Sequence, residues 1–298
     1  MKSDFDWYHA NGKLMLFGEY VVMRGVPAMA FPTKMGQSLH VSKSNSFLWE
    51  SFELNNLWFY LKFNAECDVL DTNIPSVADK LMLLFKDIKF TRPDLFEDPL
   101  HFEIHSNFNR NWGFGSSATL VSLLSQWSEM NPYTLNDRHF GGSGYDIACA
   151  TARGPILYDQ ASRKVENFEL AHAISDQLLF IYSGNKQNSQ REVTAFKGLY
   201  VSNDQLSSLN NLVLNSTQAV SIEQFESIID THESVLSDVL NRPPLKQLEF
   251  ADYPHSIKSL GAWGGDFFMA TFKDLNTAKS YFKEKQKSIF FSYKDLIL

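Results

Sequence analysis

Asn109-Arg110-Asn111-Trp112-Gly113-Phe114-Gly115-Ser116-Ser117-Ala118 is the stretch on which the reading of this chain turns. It stands between an alternating strand, His101-Phe-Glu-Ile-His105, and a segment from Ser116 to Met130 in which Leu120, Leu124 and Trp127 recur at helical spacing. Strand, glycine turn and helix follow one another. The turn delivers small, hydroxylated residues to a helix N-terminus, where outward-pointing N–H groups and about half a positive charge accommodate a phosphate without any basic side chain. Gly113 and Gly115 let the backbone approach closely, and a serine hydroxyl can bond a phosphate oxygen or face Mg²⁺. Taken alone, a plain glycine turn with Ser116 as N-cap explains the stretch about as well. It also satisfies GxGxxA, the dinucleotide fingerprint. That fingerprint normally follows a buried apolar strand in the first strand-turn-helix unit, whereas Ser106 to Asn111 are polar here, so an NAD(P)-dependent oxidoreductase is a minor alternative.

Working outward, Leu14–Phe17, Tyr20–Met23 and Pro27–Phe31 read as strands punctuated by Gly12, Gly18 and Gly25. Ser46–Leu54 and Leu57–Phe63 read as a hairpin around Asn55-Asn56, and residues 76–88 as a helix with Val77, Leu81, Leu84 and Phe85 on one face. Gly141-Gly142-Ser143-Gly144 opens a second glycine-initiated helix at Tyr145–Ala150. Beyond residue 170 the register changes. A strand at Gln177–Tyr182 precedes helical patterns over 190–200, 204–215 and 222–240, which Arg242-Pro243-Pro244 ends. A strand at Phe267–Phe272, a helix from Leu275 to Gln286 and a short terminal strand complete the chain. The expected domains are 1–170 and 171–298.

The bulk numbers narrow the function classes. With 298 residues, 44% hydrophobic and 20% charged, the chain can bury a sizeable core and is long enough for two domains with a cleft. A net charge of −7 excludes the basic footprint of a nucleic-acid binder. Cys67 and Cys149 lie in no disulfide framework or metal spacing. No apolar run reaches the roughly 18–20 residues of a membrane span, and Met1–Trp7 lacks a signal-peptide core, so the expected location is cytoplasmic, with no membrane or nucleic-acid partner.

Gly113-Phe-Gly-Ser-Ser-Ala118 resembles the GLGSSA phosphate loop of the GHMP kinases, the group of galactokinase, homoserine kinase, mevalonate kinase and phosphomevalonate kinase. Gly12-Lys13-Leu-Met-Leu-Phe-Gly18-Glu19-Tyr20 resembles the N-terminal segment of that family. Gly142-Ser143-Gly144-Tyr145-Asp146 resembles the segment carrying its active-site aspartate, and Lys258-Ser-Leu-Gly261-Ala-Trp-Gly264-Gly265-Asp266 its C-terminal glycine motif. The four occur in the family's order across most of the chain. Gly144-Tyr-Asp-Ile-Ala148 further resembles a bacterial subgroup known by that pentapeptide, and Gly142–Asp146 looks most like the phosphomevalonate kinase branch, with mevalonate kinase its neighbour.

The resemblance implies an α+β, two-lobed fold: an N-terminal lobe like the second domain of ribosomal protein S5, which would bind ATP and its phosphates, and a ferredoxin-like C-terminal lobe. It implies a phosphotransferase using ATP and Mg²⁺, a monomer or homodimer, acting on a hydroxyl or phosphate of a small carboxylate such as phosphomevalonate or mevalonate, in isoprenoid biosynthesis by the mevalonate pathway. Lys13 would stabilise charge on the transferring group or lower the acceptor's pKa, and Asp146 would orient the acceptor. Gly113, Gly115, Ser116, Ser117 and Ala118 would hold the nucleotide phosphates together with Gly261, Gly264 and Gly265. Ser117 and Asp137 are the metal candidates; Glu19, Lys186 and Arg191 are the substrate-side candidates. The sequence departs from the family pattern at Asn109, Phe114, Asn11-Gly12-Lys13 and Trp263. A bulky indole near the phosphates motivates the alternative of a catalytically silent nucleotide- or metabolite-binding regulator.

Overall fold

The computed structural model describes residues 5–185 and 189–298 and divides into two compact units. The first comprises Met1–Gly12, Met35–Arg110 and Phe114–Thr151; the second comprises Lys13–Lys34, Asn111–Gly113 and Ala152–Leu298. The units do not follow a single cut in the chain. Two long strands, β1 (Phe5–Phe17) and β2 (Ala28–Lys43), each supply residues to both.

In the first unit, β3 (Phe47–Glu53), β4 (Asn56–Phe63), β5 (Val69–Thr72) and β6 (Leu100–Ser106) join the second half of β2 in the order β5-β4-β3-β6-β2. β3 runs parallel to β6 while the β2–β6, β3–β4 and β4–β5 pairs are antiparallel, so the sheet is mixed. The hairpin between β3 and β4 forms as the sequence predicts, but its positive φ angles fall on Leu54 (48°) and Asn55 (68°), one residue earlier than the Asn-Asn pair suggests. α1 (Pro75–Thr91) buries Ala78, Leu81, Leu84, Phe85 and Ile88, the apolar stripe of its sequence. α2 (Ser116–Ser128), α3 (Pro132–His139) and α4 (Tyr145–Thr151) complete the unit. Its core centres on Trp49, Phe85, Phe102 and Trp127. Trp127 meets Phe102 edge-on at 4.9 Å between ring centroids, a favoured aromatic arrangement.

In the second unit, β7 (Ile156–Asp159) and β8 (Lys164–Asn167) extend the first half of β2, with Ala28 opposite Tyr158. After the short α5 (His172–Ser175) come β9 (Leu178–Tyr182), α6 (Ser189–Lys197), α7 (Asn203–Gln218), α8 (Ile222–Leu240), α9 (Leu245–Glu249), β10 (Ile257–Ser259), β11 (Phe267–Thr271), α10 (Leu275–Glu284), β12 (Phe290–Ser292) and α11 (Tyr293–Leu296). The four strands β9 to β12 form an antiparallel sheet in the order β10-β11-β9-β12. This is the ferredoxin-like strand order, reached here with four helices, α6 to α9, in the first crossover. α8 stops as predicted before Arg242-Pro-Pro, with Asn241 in the left-handed conformation at its end. Among the described residues, no helix is long and apolar enough to cross a membrane.

One sequence expectation fails near the start. Tyr20–Met23 is not a strand: Val21–Arg24 forms a 3₁₀ turn. Gly18 (φ 90°) and Tyr20 (φ 62°) reverse the backbone before the apolar run can extend, and Val22 N–H donates to the Gly18 carbonyl.

Candidate active site

Apart from Asp137, the candidate residues of the first unit lie at two glycine-initiated helix starts. Gly115 is the N-cap of α2 with φ 86°, and no side chain caps that helix end. Ser116 is therefore helical rather than the capping residue, and its neighbour Ser117 is exposed. Phe114, which stands where the family pattern has leucine, is fully buried against Phe108, so its ring anchors the loop from beneath. Gly144 (φ 83°) precedes α4, which packs against α2 and carries a half-buried Asp146 in its first turn. One Asp146 oxygen accepts the Ile147 N–H at 3.1 Å. Asp137 is exposed on α3, while its neighbour Asn136 is buried and donates to the Gly141 carbonyl that closes the preceding turn.

In the second unit, three contacts gather motifs far apart in sequence. First, a Cβ built on Gly113 would fall on the Asp266 carboxylate, and Gly113 has φ 68°, so the loop glycine and the C-terminal motif fit together only because position 113 lacks a side chain. Second, the Trp263 N–H donates to the Tyr20 hydroxyl at 2.7 Å, and its indole N–H donates to the Pro243 carbonyl at 3.2 Å. The indole is buried, 7% exposed, so in this unit Trp263 braces the Gly261–Gly265 loop. Gly265 is obligatory in that loop, since a Cβ there would meet two backbone carbonyls at 2.5 and 2.6 Å. Third, Lys258 pairs with Glu19 and, at 2.9 Å, with Glu233 of α8, while the Ser259 N–H donates to the other Glu233 oxygen at 3.3 Å.

This last cluster is fully buried, with Lys258 and His232 at 0% exposure and Glu19 and Glu233 at 2% and 3%. His232 Nε2 lies 3.7 Å from the second Glu19 oxygen, and the Phe17 ring packs edge-on against the imidazole. Burial pushes the Glu19 carboxyl up to about 7 despite Lys258, while the two carboxylates outweigh burial at Lys258 and raise its pKa. Burial, and secondarily Lys258, holds His232 well below the usual imidazole range, so it is neutral.

The signs of these shifts differ. A depressed His232 pKa removes stability as pH falls below 6.5, because the unfolded chain takes up the proton first; the raised Glu19 pKa adds stability as pH falls through 7 towards 4.5. His232→Gln is therefore expected to be less acid-sensitive than the parent. Between pH 7.5 and 5.5, urea unfolding should show the variant gaining up to about 1.4 kcal/mol relative to the parent. Two further substitutions test the braces. Gly113→Ala is expected to cost at least about 1–2 kcal/mol from its positive φ alone, and Asp266→Ala in the same chain should relieve only the collision. Tyr20→Phe orphans the Trp263 N–H and is expected to cost about 1–3 kcal/mol in the same assay.

Of the remaining sequence candidates, Lys13 is half-buried on β1, Arg191 is exposed on α6, and Lys186 lies outside the described residues. In the sequence, Lys258 and Asp266 stand within the C-terminal glycine motif with no role assigned to either, and nothing there singles out Glu233 or His232. The signal for Lys258 was its place in Ser256-Ile-Lys-Ser-Leu260, where a charge has no packing reason to sit.

No protein-family model matches the chain, and no curated protein matches it. Solved structures do. Methanococcus jannaschii mevalonate kinase superposes with a TM-score of 0.73 at 16% identity, covering 98% of each chain. Streptococcus pneumoniae phosphomevalonate kinase in complex with phosphomevalonate and AMPPNP gives 0.72 at 18% identity over 96% of this chain and 99% of that one. Lactococcus lactis galactokinase complexed with galactose gives 0.66 at 12% identity over 97% and 93%. At these identities the likeness establishes the fold, which is the α+β fold that the motif resemblance implied.

Proposed function

We propose that this chain is a GHMP-type kinase that transfers the γ-phosphoryl group of ATP to a hydroxyl or phosphate of a small carboxylate, with phosphomevalonate or mevalonate the favoured acceptors and the mevalonate pathway its setting. The observation that carries the reading is the start of α2: an uncapped helix end entered through Gly113 and Gly115, both at positive φ, in a chain whose fold is shared along nearly its whole length with phosphomevalonate and mevalonate kinases. Such an end offers backbone N–H donors and the positive end of the helix dipole to a triphosphate. The oxidoreductase alternative loses its footing. β6, the strand before the loop, runs antiparallel to β2, whereas the dinucleotide fold needs a mostly parallel, doubly wound sheet.

In this reading Gly113, Gly115, Ser116, Ser117 and Ala118 bind the phosphates, with Gly261, Gly264 and Gly265 shaping a second phosphate-facing turn. Ser117 offers an exposed hydroxyl and Asp137 an exposed carboxylate for Mg²⁺. When bound, Mg²⁺ would neutralise phosphate charge. Lys13 stabilises negative charge on the phosphoryl group, and Asp146, anchored through Ile147 N–H, orients the acceptor. If the acceptor atom belongs to a phosphate, Asp146 has no strong base to supply and acts by position. Lys186 and Arg191 are assigned to the substrate side; Glu19, which the sequence also suggested there, is buried and paired with Lys258, so it supports the fold rather than touching substrate. The protein would work in the cytoplasm as a monomer or homodimer. The binding half of the reading is tested by thermal unfolding with AMPPNP and Mg²⁺: the midpoint should rise in the parent and fail to rise in Gly115→Val, and an unmoved parent midpoint at saturating nucleotide would refute it.

A further inference from the structure

Three adjacent strands of the first unit bring a second set of titratable side chains together, remote in sequence from every motif above. Glu50 of β3 stands directly opposite Glu103 of β6, and His40 of β2 stands directly opposite Glu103 on its other side. His101 shares the Glu103 face of β6 because side chains two apart in a strand point the same way. His101 Nε2 lies 2.9 Å from Glu50 Oε2, and His40 Nδ1 lies 3.0 Å from Glu103 Oε2. One ligand atom each from Glu50, His101 and Glu103 falls within 4.8 Å of the other two.

From this geometry we infer that Glu50, His101 and Glu103 form a binding site for a divalent transition-metal ion, Zn²⁺ by chemical class, with His40 holding Glu103 from behind. Two carboxylates directly opposite each other on neighbouring strands repel and destabilise the sheet unless positive charge lies between them. One imidazole and two carboxylates form a donor set suited to Zn²⁺; all-oxygen cages suit Mg²⁺ and Ca²⁺ instead. Three protein ligands at a partly exposed sheet face, with His101, Glu50 and Glu103 side chains 22%, 26% and 28% exposed, leave room for a water as the fourth ligand. His40 fills the role that outer-shell partners play at metal sites: it fixes the orientation of a ligating carboxylate. It is itself covered by Trp7, whose ring stacks on the imidazole at 4.6 Å between centroids. The site is independent of the proposed kinase activity.

The test is calorimetric titration of Zn²⁺ into the full, tag-free chain. The expected result is a single saturable equivalent. Affinity should fall about tenfold or more in His101→Asn and Glu103→Gln, and about tenfold in His40→Gln, which touches only the partner of a ligand. Ni²⁺ should quench a component of the tryptophan emission that Trp7→Phe removes. Unfolding midpoints without metal show whether each variant is folded; Glu50→Gln carries the same test should His101→Asn fail to fold. Absence of saturable binding overturns the inference. So does binding that the substitutions leave unchanged, which would place the ion elsewhere on the chain.

Discussion

Asp146→Asn is expected to reduce acceptor-dependent turnover by ~10²- to 10⁴-fold, the range that loss of a positioned acid or base costs, while nucleotide binding is retained. Asp146 sits in the first turn of α4, immediately after Gly144 at positive φ, and one of its oxygens is engaged by Ile147 N–H. Asparagine keeps that acceptor and the residue's shape, so the helix start should survive. What disappears is the negative charge that would orient the acceptor. Lys13→Ala should give a comparable fall through a different route, by removing a cation from the transferring group. The pair is diagnostic when read beside AMPPNP stabilisation. Lost turnover with retained stabilisation assigns both residues to chemistry, whereas turnover within a few-fold of the parent in both variants would remove them from it.

The largest stability effect is expected at Lys258. Lys258→Met leaves Glu19 and Glu233 buried without their cation, a loss that typically costs about 3–5 kcal/mol. His232 is held neutral and cannot stand in for the lost cation, and all four side chains are at least nine-tenths buried. Neutralising the acids should recover much of the loss, because an apolar or amide replacement of a whole buried charge cluster is far less damaging than removal of one member. Lys258→Met combined with Glu19→Gln and Glu233→Gln is therefore expected to be more stable than Lys258→Met alone. Urea unfolding of the series measures this directly. Additive losses across the three positions would show that they do not form one electrostatic unit.

Much of this arrangement is legible in the sequence, and the reasons differ by element. α2 shows itself because Leu120, Leu124 and Trp127 lie on a helical stripe and the glycines before it announce a turn. The β3–β4 hairpin shows itself through two apolar runs around Asn-Asn. The ferredoxin-like sheet follows from the resemblance of four ordered motifs and from no local pattern, since its strand order depends on pairings such as Ile257 with Ala270 and Phe267 with Tyr182. Tyr20–Met23 misleads because β-branched apolar residues favour a strand until flanking positive φ angles forbid one. The buried ionic cluster stayed hidden for another reason. Glu19 and Lys258 are 239 positions apart, and a glutamate or lysine viewed alone reads as a solvated side chain. Trp263 shows the same limit: beside a glycine loop it reads as an obstruction, but its two N–H donors find Tyr20 and Pro243 and tie it into the core.

Release of ADP from Mg-ATP, measured with mevalonate, phosphomevalonate, homoserine, galactose or no acceptor, tests the central claim most directly. The account predicts release that depends on an added acceptor, with mevalonate or phosphomevalonate giving the fastest rate. No acceptor-dependent release under any condition, with AMPPNP still stabilising the protein, would contradict it and favour a nucleotide-binding regulator built on a kinase fold.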